Sequence, residues 1–267
     1  MAEIERARRK PAQSLDAYDL FLRALPITYD PGIERHAEGI ALLKQAMLLD
    51  PNFALVPTYI ALIYANRISL LAPPLTHDDR AEAVAHARRA LALDSGDSVV
   101  SALCAWVLFR VEDDASALDA VRAAVAKNPN NVVVLRHAAA VVGMAGAPAE
   151  AFEYNRRAYE LSPGGPEAYD ALFGMAGSEL VMGNDEAAIH WALKSLATYK
   201  DLLLTYVTLT SAYANLGRMD EARAMLLKVR ELSPHLTTSL IEKGRAKRDT
   251  FADVVAPALR KAGLPET

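Results

Sequence analysis

The sequence predicts an all-α solenoid of about six antiparallel helix pairs closed by a C-terminal capping helix. Three observations predict it. Breaks recur at a near-constant interval, glycine followed by alanine five residues later recurs between them, and the runs before the breaks carry apolar residues at helical spacing. The breaks are Asp50-Pro51, Asp94-Ser95, Asn128-Pro129, Ser162-Pro163 and Ser233-Pro234. Their second residues, at 51, 95, 129, 163 and 234, are 44, 34, 34 and 71 residues apart, the last being about two periods. Proline closes a unit because it cannot continue the helix before it.

Within the period, Gly146, Gly183 and Gly217 precede Ala151, Ala188 and Ala222, with Glu150, Asp185-Glu186 and Asp220-Glu221 just ahead of each alanine. Glycine permits the left-handed residue that ends a first helix. The acids suit the positive N-terminus of a second helix. The alanine marks where the two helices approach most closely. In order, the expected pairs are 15–25 with 33–49, 54–69 with 78–93, and 99–110 with 114–126. They continue as 132–145 with 148–161, 166–182 with 185–196, and 202–216 with 219–232. Pro26 and Pro31 fall in the first loop, and Leu70-Leu71-Ala72-Pro73-Pro74-Leu75-Thr76-His77 lengthens the second. A tail helix over 251–262 carries Pro257, which is expected to kink or delay it. One repeat cannot bury its apolar face alone, so the sequence is read as a single domain over 1–267. Its lead-in is 1–14, its repeats 15–234, and its tail and capping helix 235–267.

These positions resemble the tetratricopeptide pattern W-x2-L-G-x2-Y…A-x3-F…P, whose period is 34 residues. The last unit matches best, through Tyr206, Leu209, Tyr213, Ala222, Leu226 and Pro234, with Thr210 replacing the glycine. The fourth keeps Leu135, Ala138, Ala151, Ala158 and Pro163; the third keeps Cys104, Leu108, Ala117, Val121, Ala124 and Pro129. The resemblance implies a TPR-type α-solenoid with a right-handed superhelix. Two end segments resemble something narrower. Leu15-Asp16-Ala17-Tyr18-Asp19-Leu20-Phe21-Leu22-Arg23-Ala24-Leu25 is similar to the opening helix of the C-terminal TPR region in bacterial multidomain class III adenylate/guanylate cyclases. Leu259-Arg260-Lys261-Ala262-Gly263-Leu264-Pro265-Glu266 is similar to the close of the same proteins. Related regions also follow winged-helix transcription regulators. The cyclase resemblance implies a regulatory or sensory region of a signalling protein, either part of a longer chain or encoded alone. Phe251-Ala252-Asp253-Val254-Val255 is faintly similar to the metal-binding strand of cyclases, but Ala256-Pro257 and a helix follow it, not the glycine turn that strand needs.

Composition narrows the function classes. The 267 residues carry 29 Lys and Arg against 33 Asp and Glu, a net charge of -4, so no basic face of nucleic-acid-binding size is expected. Cys104 is alone and cannot form an internal disulfide. The first ten residues lack the apolar run of a secretory signal, and no stretch reaches the roughly 20 apolar residues of a membrane span. A cytoplasmic protein without membrane or nucleic-acid partners is therefore expected. Nucleotide-binding, zinc-protease and serine-hydrolase motifs are missing, so neither catalytic residues nor cofactors are assigned. His77, Asp78, Asp79, Glu82 and His86 crowd one helix start. Helix capping by Asp78 or Asp79 accounts for them better than a metal, which would want four Cys/His ligands for a structural zinc. Basic residues at the two ends (Arg6, Arg8, Arg9, Lys10; Lys243, Arg245, Lys247, Arg248) are interspersed with acids and read as solvated segments.

A protein or peptide partner is expected in the concave groove lined by first helices. Regular stacking puts there Asn66, Trp106, Arg110, Arg136, Met144, Asp170, Ser178 and Asn215. An aromatic beside two guanidiniums, Trp106 with Arg110 and Arg136, suits an acidic peptide. Gly174, Gly177 and Ser178 leave bare wall, either for a bulky partner side chain or for close helix packing. The amphipathic helix at 15–25 offers a homodimer contact instead of a cap.

Overall fold

The structure, a computed structural model, describes residues 15–29, 33–69, 72, 74–165, 167–244 and 249–267. Among these residues all regular structure is helical. The helices are α1 (Leu15–Thr28), α2 (His36–Leu49), α3 (Leu55–Ser69), α4 (Asp79–Asp94), α5 (Ser98–Glu112), α6 (Ala117–Lys127) and α7 (Val132–Met144). They continue as α8 (Pro148–Leu161), α9 (Ala168–Val181), α10 (Asp185–Thr198), α11 (Leu203–Asn215), α12 (Met219–Leu232), α13 (Thr238–Gly244) and α14 (Thr250–Ala262). The chain forms two compact units, Met1–Glu112 and Asp113–Thr267. The first holds α1–α5 and the second α6–α14.

Within both units each repeat helix packs on the next one along the chain, and first helices pack on the first helices of neighbouring pairs: α1 on α3 and α3 on α5, then α7 on α9 and α9 on α11. First helices are thus enclosed on several sides. Eleven of the fifteen residues of α3 are buried, and eleven of fifteen in α5. Second helices need only one apolar stripe. That stripe recurs at i, i+4 and i+7: Ala83, Ala87 and Ala90; Ala117, Val121 and Ala124; Ala151, Asn155 and Ala158; Ala188, Ala192 and Ser195; Ala222, Leu226 and Val229. In α2 it reads Gly39, Leu43 and Ala46, with glycine in the alanine position. The first residue of each stripe is small because the helices nearly touch there. A β-carbon on Gly39 would lie 3.0 Å from Ile27 Cγ2 and 3.2 Å from Ile63 Cδ1.

The ends follow from local chemistry. Asp78, Asn131 and Asp249 cap α4, α7 and α14 by accepting from the N–H groups of Ala81, Val134 and Ala252. Gly146, Gly183 and Gly217 have φ of +93°, +79° and +76°. The next residue's N–H closes the helix in each case: Ala147 to Val142 O, Asn184 to Glu179 O and Arg218 to Tyr213 O, each at 2.9 Å. After α5 the left-handed position belongs to Asp113, at φ +60°, whose buried Oδ1 finds no hydrogen-bond partner. Asp113→Gly is therefore expected to stabilise the protein by about 1 kcal/mol, raising Tm by roughly 2–4 °C in a thermal melt. An unchanged or lower Tm would show that this turn is unstrained.

Two expectations are corrected by packing. The first helix does not stop before Pro26 but runs on to Thr28, with Pro26 inside it. Ile27 and Thr28 are buried there, and the Thr28 hydroxyl donates to Ala24 O at 3.1 Å, so the last turn has support beyond its own backbone bonds. In the tail the sequence predicts one helix, whereas α13 precedes α14. The short α13 is held from outside itself, since Thr238 N donates to Pro265 O at 3.0 Å and Ser239 N to Glu266 O at 3.2 Å. Helix α14 starts at Thr250 and passes through Pro257, with Val255, Ala256, Ala258 and Leu259 buried around it.

Candidate functional site

In the first unit the expected groove residues sit on α3 and α5. Asn66 and Trp106 are half-buried. Arg110, one turn after Trp106, donates from Nε to Ser69 Oγ at 3.0 Å, tying the ends of α5 and α3 together. Beside them Arg67 is buried; its Nη1 donates to Ile33 O at 3.3 Å, and its Nε lies 3.9 Å from Asp79 Oδ2. Asp79 also accepts from Leu75 N, Thr76 N and the Thr76 hydroxyl, so the lengthened second loop is clasped onto α4. Leu70, Leu71 and Pro73 of that loop lie outside the described residues.

This clasp accounts for the acidic cluster that raised the question of a metal. Asp78 caps the helix, Asp79 holds the loop, and Glu82 Oε2 lies 3.6 Å from His86 Nε2. Burial lowers the His86 pKa, with Glu82 opposing. Among the described residues no group of three or more His, Cys, Asp or Glu could hold a metal ion. Cys104 is fully buried, and burial pushes its thiol up to about 12, opposed by a hydrogen bond with Thr58. It is a core side chain.

In the second unit the structure brings two of the expected residues together. The Arg136 guanidinium on α7 bridges to Asp170, with Nε to Oδ2 at 2.8 Å, and to Glu167 just before α9. The Arg136 side chain is only 11% exposed. Its charge thus joins α7 to the start of α9. Next to it His137 is buried, with Nδ1 2.8 Å from Val133 O. Burial, reinforced by the Arg136 charge, pushes its pKa down to about 4, so the ring is neutral at pH 7. Met144 is half-buried at the end of α7. Asn215 is exposed and donates to Asp185 Oδ1 at 2.8 Å, joining α11 to the start of α10. Ser178 is buried and donates to Gly174 O at 2.8 Å.

The two glycines of α9 have different uses. A β-carbon on Gly174 would collide with the Asn155 side-chain amide, so this glycine serves the close approach of α8. Gly177 instead faces the Phe251 ring, which would lie 3.4 Å from a β-carbon there. Phe251 belongs to α14, and its ring meets Phe173 edge-on at 6.1 Å. Helix α14 packs on α7, α9 and α11, three successive first helices, as well as on α12 and α13. Thr250 Oγ1 donates to Gly143 O at 2.9 Å, and Lys261 Nζ donates to Ala214 O at 2.6 Å. The sequence places α14 at the end of the array as a cap. What it does not reveal is this reach back to α7, although Phe251, Val255, Leu259 and Ala262 form a legible apolar stripe. Of the basic end clusters, Lys243 is exposed, while Arg6, Arg8, Arg9, Lys10, Arg245, Lys247 and Arg248 lie outside the described residues. No described helix is long and apolar enough to cross a membrane.

No family model matches the sequence, and no curated protein matches it. Solved structures do share its fold. A chain of the APC/C hetero-tetramer Cut9-Hcn1 is 12% identical over 86% of this chain and 46% of its own, with a TM-score of 0.63. The human IFIT1 dimer with m7Gppp-AAAA is 14% identical over 88% of this chain and 57% of its own, with a TM-score of 0.64. This chain thus spans about half the length of those two. TTC0263, a thermophilic TPR protein of Thermus thermophilus, is 17% identical over 72% of this chain and 96% of its own, with a TM-score of 0.56. The repeat phase, the alanine stripes of the second helices and these likenesses agree: this chain has the TPR-type α-solenoid fold.

Proposed function

We propose that this chain is a protein-binding scaffold that holds a segment of a partner protein against its first helices. One observation carries the reading. In the second unit the row formed by α7, α9 and α11 receives the apolar stripe of an amphipathic helix, α14, so this kind of face accepts a helix side-on. In the first unit α3 and α5 present Asn66, Trp106 and Arg110 on the corresponding helices, and half-buried tryptophan is a common anchor of protein interfaces. The test is a titration. A partner captured by the whole chain and identified by mass spectrometry is titrated against wild type and Trp106→Ala. The affinity is expected to fall about thirtyfold with unchanged helicity by circular dichroism. Equal affinity would remove Trp106 from the interface.

The narrower reading is that the scaffold is the regulatory TPR region of a bacterial class III cyclase-type signalling protein working in the cytoplasm. The segments at 15–25 and 259–266 support it. The adjoining coding sequence tests it: a cyclase domain upstream favours it, and a helix-turn-helix domain there favours a transcription regulator instead. A self-associating adaptor encoded alone is the further alternative, supported by the exposed Leu15, Tyr18 and Leu22 of α1. Light scattering of the purified chain, monomer against dimer, separates it from the other two.

A further inference from the structure

Helix α14 is placed where a cap alone would not need to be. To shield the last pair it would have to cover only α11 and α12, and its C-terminal half and the residues just after it do so: Leu259, Ala262 and Leu264 are buried in one cluster with Tyr213 and Leu226. Its N-terminal half goes further. It crosses α9, where the Phe251 ring packs over Gly177 and edge-on to Phe173, and ends at α7, where Thr250 bonds a carbonyl 107 residues earlier in the chain. Both polar anchors use carbonyls at helix ends, Gly143 O at the close of α7 and Ala214 O at the close of α11. Each of these carbonyls already accepts the N–H of the glycine three residues on, Gly146 at 3.1 Å and Gly217 at 3.2 Å, and takes the α14 donor on its second lone pair. The face therefore reads a defined pattern: a hydroxyl and an ammonium eleven residues apart, about 16 Å along a helix, with an aromatic in the first turn and small or branched residues after it.

We propose that this face of the second unit is a docking site for an amphipathic helix of a partner protein carrying that pattern, and that α14 is the chain's own competitor for it. The proposal rests on the scaffold reading and adds the partner's chemistry and a self-inhibiting contact. Four of the seven buried residues of α14 and its immediate tail are alanines (Ala252, Ala256, Ala258 and Ala262, beside Val255, Leu259 and Leu264), and Phe251 is only half-buried. Its hold is thus modest for each residue. It draws its advantage from being tethered, which is worth an effective concentration in the millimolar range. A partner helix presenting the same stripe must overcome that tether, or bind when α14 is weakened.

Hydrogen exchange and peptide binding on the whole chain test this. The amides of α14 are expected to exchange at least about 100-fold faster than those of α11, by local opening. A fluorescent peptide copying residues 249–267 is expected to bind the Phe251→Ala chain at least about tenfold more tightly than wild type. The same peptide with alanine at the positions of Phe251 and Lys261 is expected to lose that binding. Protection of α14 equal to that of α11 would overturn the proposal, because the helix would then be permanent core. Early exchange without peptide binding, equal binding by both chains, or equal binding by the alanine peptide would each overturn it too. None of these outcomes touches the Trp106 titration, so the scaffold reading stands or falls separately.

Discussion

Arg136→Glu is expected to destabilise the protein by about 3 kcal/mol or more, seen as a lower urea midpoint by circular dichroism. The arginine, mostly buried, holds Glu167 and Asp170 in one cluster between α7 and α9. Reversing its charge leaves two carboxylates facing a third. Adding Glu167→Gln and Asp170→Asn to the same variant removes the repulsion and is expected to recover most of the loss. A single variant within about 0.5 kcal/mol of wild type would mean a well-solvated cluster, leaving Arg136 available to a ligand. The same geometry makes Arg136→Glu a poor probe of partner binding, because lost binding and lost folding would arrive together. Trp106→Ala avoids that difficulty.

The second large effect is a pH dependence centred on His137. Its folded pKa, about 4, lies below the ordinary 6.5 because the ring is buried and stands beside the Arg136 charge. Between those values the unfolded chain binds a proton that the folded chain does not, so stability rises with pH across this window. The contribution is fully present above 6.5 and is lost as pH falls towards 4. It amounts to about 3 kcal/mol at most. Other groups also titrate in acid, so the informative quantity is a difference. His137→Asn, whose amide can still donate to the Val133 carbonyl, is expected to show a flatter stability profile from pH 6.5 to 4 than wild type. Parallel profiles in urea melts across that range would show that His137 is not the group responsible.

Much of the fold is legible in the residues. The stripe at Ala151, Asn155 and Ala158 and its counterparts in other pairs declare the second helices, since a helix with one buried side leaves a clear period. Gly146, Gly183 and Gly217 declare the turns, because the left-handed conformation strongly favours glycine. Asp113 in the same conformation is not legible for the converse reason: aspartate visits it only occasionally and far more often serves as a cap or surface acid. The end of α1 is hidden because Pro26 argues against helix locally, while the burial of Ile27 argues for it only in three dimensions.

The site residues divide along the same line. Regular spacing suffices to put Arg136 and Asp170 at successive first-helix positions, 34 residues apart. It cannot say that they neutralise each other, because a charge pair across helices depends on the distance between side chains and not on their separation in sequence. The spare room at Gly177 is foreseeable from the missing side chain. That Phe251, 74 residues later, packs beside it depends on the path of the tail. By itself the sequence determined the helix pairs, their phase and the stripe each second helix buries, since these rest on local geometry repeated about every 34 residues. Only the tertiary structure decided which charges are consumed within the fold and where α14 comes to rest, since both depend on contacts between residues that the repeat does not relate.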